Sequence, residues 1–73
     1  MSEYKEFYIA LGSLLKEYRE RQGLKQSDIA EKLGTTKAAI SNYESGYRAI
    51  SAKALKDYCK AINVSVDEIF KHI

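Results

Sequence analysis

Three glycines divide the middle of this chain into segments of helical length. Gly23, Gly34 and Gly46 lie 11 and 12 residues apart, and the chain contains no proline. A glycine just beyond a helix supplies the left-handed backbone conformation with which many helices end. With four glycines and no proline, the sequence lacks the turn residues that a β-sandwich or β-barrel requires. The spacing therefore predicts α-helices joined by short links.

The length and composition indicate one small domain. A chain of 73 residues provides a single core. Its one cysteine cannot close an internal disulfide, which favours a reducing compartment. No apolar run approaches the ~20 residues of a membrane span, and no signal peptide is visible. We therefore expect one domain over residues 1–73, in the cytoplasm and without a membrane partner.

Apolar periodicity predicts five helices, and therefore an all-α fold. In the first segment an apolar residue recurs every three or four positions from Phe7 to Tyr18, so one helix ends near Gln22. Thr36, Ser51 and Ser65 each precede an apolar stripe and are good N-caps. The four later helices are predicted over 26–33, 37–45, 52–62 and 66–70.

The sequence gives little basis for catalysis or metal binding. The single histidine, His72, stands next to the C-terminus, and Cys59 falls on the apolar face of the fourth helix. A buried cysteine on such a face is most simply a small hydrophobic residue. No Cys/His cluster has metal-ligand spacing, and no glycine-rich loop precedes a helix. We therefore expect no enzymatic activity, no metal and no cofactor.

The segment from 26 to 46 has the spacing of a helix-turn-helix. Two short helices flank Gly34-Thr35-Thr36, with Ala30 opposite the turn and Ile40 placed to fill the angle between the helices. In such a motif the second helix enters the DNA major groove. An ordinary helical hairpin in a bundle would show a similar turn, so the spacing alone leaves both interpretations open.

From Leu11 to Phe70 the chain resembles the Cro/CI-type (XRE, lambda-repressor-like) helix-turn-helix family. The stretches that carry the resemblance are LGSLLKEYRERQGLKQSDIAEKLGTTKAAISNYESG and ALKDYCKAINVSVDEIF. It implies a compact five-helix domain that binds double-stranded DNA. The sequence departs from the family at Lys25, where a polar cap is usual, and at Ile50, where proline is common. Residues 1–10 form an N-terminal extension.

The helix over 37–45 would read base edges. Lys37 can donate to guanine, Ala38 can touch a thymine methyl group and Asn42 can bond an adenine edge. A phosphate contact for Lys37 and plain solvation for Ser41 remain alternatives. The expected base-reading residues are Lys37, Ala38, Ser41 and Asn42.

Further roles follow from the resemblance. Arg19 and Glu44 are expected to pair and to orient the recognition helix. Residues 37–60 carry five basic and two acidic side chains, which is a weak basic surplus around this site. The expected phosphate contacts are Gln26, Thr36, Tyr47, Arg48 and Lys53.

A recognition helix reads only a few base pairs, so a dimer on a two-fold site is expected. Its interface is predicted at Val66, Ile69, Phe70 and Ile73, although packing of these residues onto the first helix is an equal alternative. We interpret the chain as a homodimeric transcriptional repressor that binds a pseudo-palindromic operator.

The sequence also allows protein partners. Asp28 and Glu31 could form an acidic patch that touches RNA polymerase in an activator. A different function class is a protein-interaction module, in which the helix-turn-helix fold binds an antirepressor, a toxin or another regulatory protein. If the chain binds DNA with an affinity that falls steeply as the salt concentration rises, DNA binding is favoured over this alternative.

Overall fold

Five α-helices form the part of the chain that the structure describes, residues 2–73 with side chains from residue 4 onward. This computed structural model confirms the predicted all-α class, and no residue in that range lies in a strand. The domain expected over 1–73 also includes Met1, which lies outside the described residues. The helices are α1 (Ser2–Arg21), α2 (Gln26–Leu33), α3 (Lys37–Ser45), α4 (Ala52–Ala61) and α5 (Val66–Lys71).

The helix ends follow from capping residues. The hydroxyl oxygen of Thr36 accepts a hydrogen bond from the Ala39 N–H at 3.1 Å, and the Ser51 and Ser65 hydroxyls cap α4 and α5 in the same way. At α2 the cap position holds Lys25, and the Asp28 carboxylate accepts from the Lys25 backbone N–H at 2.8 Å. The three glycines predicted to end helices have φ of +72°, +67° and +79°.

The first helix is longer than the sequence pattern indicates. The N-terminal extension was predicted over residues 1–10, and the part of it that the structure describes, residues 2–10, is continuous with the rest of α1. Leu11 and Leu15 are buried, whereas Phe7, expected on the same inner face, is exposed near the free end of the helix. The core lies between α1 and the four later helices, and within residues 2–73 no helix is long and apolar enough to cross a membrane.

Gly12 allows α1 to approach α3 at backbone distance. A Cβ atom at this position would lie 2.2 Å from the carbonyl oxygen of Tyr43 and 2.7 Å from that of Glu44. Real Cβ atoms do not come this close to backbone, so glycine is the residue that fits. The last turn of α3 is thereby seated directly on the backbone of α1.

Candidate nucleic-acid interface

Helices α2 and α3 and the three residues between them form the predicted motif. Ile40 is fully buried in the angle between the helices, and Ala30 is 5% exposed opposite the turn. The Thr35 N–H donates to the Ala30 carbonyl at 2.9 Å, which closes the end of α2. The two helices pack on each other, α3 packs on α1, and α2 packs on α4. The motif is therefore part of the core, and it presents the opposite side of α3 to solvent.

The outer face of α3 contains the residues predicted to read bases. Lys37, Ala38 and Ser41 are exposed, and Asn42 is half-buried. Their inward neighbours Ala39 and Ile40 are buried, so the face is held in place by the core. The four side chains lie along one side of a helix, which is the arrangement that a major groove accepts.

Four of the five residues predicted to contact phosphate have exposed side chains. Thr36 is exposed, and because its oxygen already accepts the capping hydrogen bond, its O–H remains a donor. The Arg48 guanidinium lies 5.7 Å from the centre of the Tyr43 ring, a cation–π distance. Tyr47 is 81% exposed. Lys53 is exposed as well, but its ammonium group pairs with Asp57 at 2.8 Å.

A buried ion pair joins α1 to the end of α3. The Arg19 Nε donates to Oε2 of Glu44 at 2.7 Å, and a terminal nitrogen of Arg19 donates to Oε1 at 3.0 Å. Both residues are almost completely buried. Arg19 also donates to the Leu24 carbonyl at 2.8 Å, so the guanidinium holds the link before α2 as well. The structure thus brings together the two residues that the family resemblance paired.

Two further side chains bind the same carboxylate. The Tyr58 hydroxyl donates to Oε2 of Glu44 at 2.5 Å, and the Gln26 side-chain N–H donates to Oε1 at 3.0 Å. We call Arg19, Gln26, Glu44 and Tyr58 the Glu44 cluster. The sequence predicted no polar role for Tyr58, whereas Gln26 was expected to contact a phosphate. No sequence signal places a hydroxyl of α4 beside a carboxylate 14 residues earlier.

The cluster keeps Glu44 ionised. Burial by itself would raise the pKa of the Glu44 carboxyl, but hydrogen bonds from Arg19, Tyr58 and Gln26 outweigh burial and hold the pKa below its ordinary value. Burial and the neighbouring Glu44 carboxylate raise the pKa of the Tyr58 hydroxyl far above its ordinary value. At neutral pH the Tyr58 hydroxyl therefore stays protonated and donates, and the Glu44 carboxylate stays ionised and accepts.

The predicted dimer surface needs one correction. Ile69 is completely buried in the core of its own chain, so its side chain is not available to a second copy. Phe70 and Ile73 are 47% and 43% exposed, and Val66 is half-buried against the core. The Phe70 ring also lies 6.4 Å from the Phe7 ring of α1. Packing onto the first helix, given as the alternative, therefore accounts for Ile69 and part of Phe70.

The residues considered for other chemistry are held in ordinary contacts. Cys59 is buried, and burial raises the pKa of its thiol, which keeps it protonated. The His72 ring nitrogen Nε2 lies 3.2 Å from the Glu68 carboxylate one helical turn earlier. No group of three metal-ligating side chains is present within the described range. Asp28, considered as part of an acidic patch, is used as the cap of α2.

Comparisons with known proteins agree with this geometry. A helix-turn-helix family model matches residues 15–69. The competence pilus inhibition repressor of Acinetobacter baylyi is 38% identical over 60 residues, which cover 82% of this chain and 54% of that protein. The transcriptional regulator ImmR of Bacillus subtilis is 39% identical over 59 residues, 81% of this chain and 46% of that protein. The chain thus spans about half the length of these curated relatives.

Solved structures give the same result for the fold. The clp gene regulator ClgR of Corynebacterium glutamicum superposes with a TM-score of 0.83 at 26% identity, over 88% of this chain and 83% of that one. The restriction-modification controller protein C.AhdI of Aeromonas hydrophila superposes with a TM-score of 0.83 at 25% identity, over 89% of this chain and 98% of that one. The chain therefore belongs to the XRE-type helix-turn-helix family and has the DNA-binding fold of its transcriptional regulators.

Proposed function

We propose that this chain is a sequence-specific DNA-binding transcriptional repressor. The observation that carries the proposal is the outer face of α3, where Lys37, Ala38 and Ser41 stand exposed on a helix whose other side is locked in the core. A rigid helix with short polar and cationic side chains suits a major groove, where donors and methyl contacts distinguish base pairs. The relative in Acinetobacter baylyi that is named as a repressor supports the sign of regulation.

Contacts to the DNA backbone would set the register of this helix. Gln26 and the first N–H groups of α2 lie at a helix N-terminus, where the helix dipole favours a phosphate. The Thr36 hydroxyl and the Arg48 guanidinium would bind phosphates on either side of α3, with Tyr47 and Lys53 beyond Arg48. Such contacts carry no base information, but they orient the reading residues.

We propose that two copies bind one pseudo-palindromic operator. The surface that would join them consists of Phe70 and Ile73, with the exposed edge of Val66. A two-fold dimer would place its α3 helices in successive major grooves, about 34 Å apart. Exposed apolar side chains at the end of α5 support a contact of this kind, because a second copy would remove them from water.

In vitro selection of bound duplexes, followed by fluorescence anisotropy, tests DNA reading. The selected sequence is expected to be symmetric, and affinity is expected to fall steeply between ~50 and ~200 mM salt. Lys37→Ala should relax the preference at one base position, at a cost of about 1–3 kcal/mol. The matched control is Lys32→Ala, an exposed lysine that faces α4 across a cleft shared with Asp57. Absence of DNA binding at low salt would refute the proposal.

Sedimentation tests the dimer. Phe70→Ser should lower the dimer fraction and weaken operator binding, because it removes an exposed aromatic ring from the proposed interface. Tyr47→Ser is the control for the dimer fraction alone, since Tyr47 is 81% exposed but lies outside the proposed interface. Its operator binding is not a control, because Tyr47 is itself a proposed phosphate contact. If both variants associate like the original chain, this surface is not the interface.

A protein-interaction module is the second candidate function. Tyr4 and Phe7 are exposed near the free end of α1, and the Phe7 ring adjoins that of Phe70. An apolar surface of this kind also suits a protein partner. Selection that returns no preferred duplex, together with weak and sequence-independent DNA binding, would favour this function over the first.

A further inference from the structure

The Glu44 carboxylate is a junction between four helices. Glu44 itself belongs to α3, and its partners Arg19, Gln26 and Tyr58 belong to α1, α2 and α4. Each carboxylate oxygen receives two hydrogen bonds: Oε1 from Arg19 and Gln26, and Oε2 from Arg19 and Tyr58. Both oxygens are thus saturated on the usual count of about four acceptor sites per carboxylate. The rotation of this side chain is therefore fixed by three different elements.

This junction determines how the Gln26 amide is turned. An ionised carboxylate only accepts, so the NH₂ group of Gln26, and not its carbonyl oxygen, must face Glu44. One of the two hydrogens on that nitrogen is used by Oε1 of Glu44 at 3.0 Å. The other N–H has no partner among residues 4–73 and lies at the first residue of α2. Glu44 thereby presents an oriented donor beside the backbone N–H groups of that helix end.

The Tyr58 hydroxyl controls the orientation of the Glu44 carboxylate. Its oxygen lies 2.5 Å from Oε2 of Glu44 and 3.4 Å from the Leu15 carbonyl, so its single proton is donated to the carboxylate. Removing the hydroxyl leaves Oε2 with Arg19 alone. The carboxylate can then turn about its side-chain torsions, and the Gln26 amide loses its fixed partner.

We propose that Tyr58 is a positioning residue for DNA binding, although it is buried in α4 and touches no nucleic acid. Through Glu44 it holds the Gln26 amide with one N–H directed at a DNA phosphate, and it holds the end of α3 at the same time. The phosphate contact at α2 and the base-reading helix α3 are thus set by one carboxylate. This inference rests on the DNA binding proposed above.

Tyr58→Phe tests the inference, because the substitution removes only the hydroxyl oxygen. Binding to the duplex selected by the original chain should weaken about three- to tenfold, which corresponds to about 0.6–1.4 kcal/mol. The matched control is Tyr18→Phe, since the Tyr18 hydroxyl donates to Glu68 at 3.4 Å on the α5 side. Binding by the control should stay unchanged. Circular dichroism establishes that each variant is folded at the temperature of the measurement.

A double-mutant cycle separates positioning from general stability. Gln26→Ala should weaken binding by a similar factor, and the double variant should lose less than the product of the two single losses, because both act on the same phosphate contact. Losses that multiply would overturn the inference, since Tyr58 would then act independently of Gln26. If Tyr58→Phe binds the duplex as tightly as the original chain does, the positioning role of Tyr58 is wrong. The proposed function would then stay intact.

Nuclear magnetic resonance gives a test that needs no DNA. In the original chain the two side-chain N–H protons of Gln26 should exchange with water at different rates, because one is bonded to Glu44. Tyr58→Phe should shift these resonances and bring the two rates together, whereas Tyr18→Phe should not. Equal, fast exchange of both protons in the original chain would contradict the proposed geometry without reference to any variant.

Discussion

Replacing Glu44 by alanine should both destabilise the chain and displace the recognition helix. The substitution removes all four hydrogen bonds of the Glu44 cluster at once. The Arg19 guanidinium stays buried, and it retains only the Leu24 carbonyl at 2.8 Å and the exposed Glu20 carboxylate at 3.9 Å. The Tyr58 hydroxyl keeps only the long contact to the Leu15 carbonyl.

The loss of unfolding free energy is large because the Arg19 charge that remains is buried. Removing one partner of a buried ion pair costs about 3–5 kcal/mol, because the other charge stays without compensation. A domain of 73 residues has a total unfolding free energy of about 4–11 kcal/mol. Glu44→Ala should therefore remove about a third of the stability or more, and DNA binding should weaken further because α3 loses its contact to Arg19.

Urea denaturation followed by circular dichroism measures the first effect, and anisotropy with the selected duplex measures the second. Glu17→Ala is the control, because Glu17 pairs with Arg21 at 2.5 Å on the surface, where an ion pair contributes about 0–1 kcal/mol. The double variant Arg19→Met/Glu44→Leu should recover much of the stability, since apolar side chains of similar size can replace a buried pair. It should still bind DNA more weakly.

If Glu44→Ala costs no more than Glu17→Ala in urea, Arg19 is not left as an uncompensated buried charge. A variant that is folded and binds the duplex with unchanged affinity would refute the orienting role of the pair. Full recovery of DNA binding in the double apolar variant would show that any well-packed contact serves, and that the hydrogen bonds to Gln26 and Tyr58 carry no positioning role.

Stability should also depend on pH through Glu44 and Tyr58, and on the α3 cap through Thr36. The pKa of Glu44 is lowered on folding, so its contribution to stability is present above its ordinary pKa of 4.5 and is lost as pH falls through the lower folded value. Glu44→Gln should therefore reduce the loss of stability that urea unfolding shows at acid pH. The pKa of Tyr58 is raised on folding from 10.0, so stability should fall above pH 10 by up to about 1.4 kcal/mol per pH unit, and Tyr58→Phe should reduce that slope. Thr36→Ala should lower the unfolding free energy by about 1 kcal/mol, because α3 loses its cap. Thr35→Ala, at an exposed position without that hydrogen bond, should cost less than half as much. Equal losses in thermal or urea unfolding would contradict the capping role.

The sequence predicts the helices well because their signals are local. Thr36, Ser51 and Ser65 cap the helices that they were expected to cap, and α2 and α3 begin and end at the predicted residues. Capping depends on a side chain and an N–H group three positions later, so it is visible in a short stretch of sequence. The apolar stripe that predicts α1 begins at Phe7, and the helical turn before it was missed because residues 4–6 are exposed and add nothing to that periodicity.

Contacts between distant segments were harder to predict. Tyr58 reads as one more apolar position of α4, because periodicity shows which face is buried but not which polar atom lies opposite a hydroxyl. For Ile69 the sequence left a dimer interface and packing onto the first helix as equal alternatives. In the structure α5 packs on α1 and α4, and Ile69 is completely buried. The Arg19–Glu44 pair was expected only through the family resemblance, because nothing in the spacing of two charges 25 residues apart predicts their contact.

The close approach at Gly12 separates the stability of this chain from its choice of DNA sequence. The last turn of α3 rests on α1 through backbone atoms, so its position does not depend on the side chains that point outward. Lys37, Ala38 and Ser41 contribute nothing to the core and are free to vary without repacking. The outward residues of α3 can thus be exchanged without disturbing the core. Residues from a relative with another operator can be placed there, and we expect the new preference to transfer while the melting temperature stays the same.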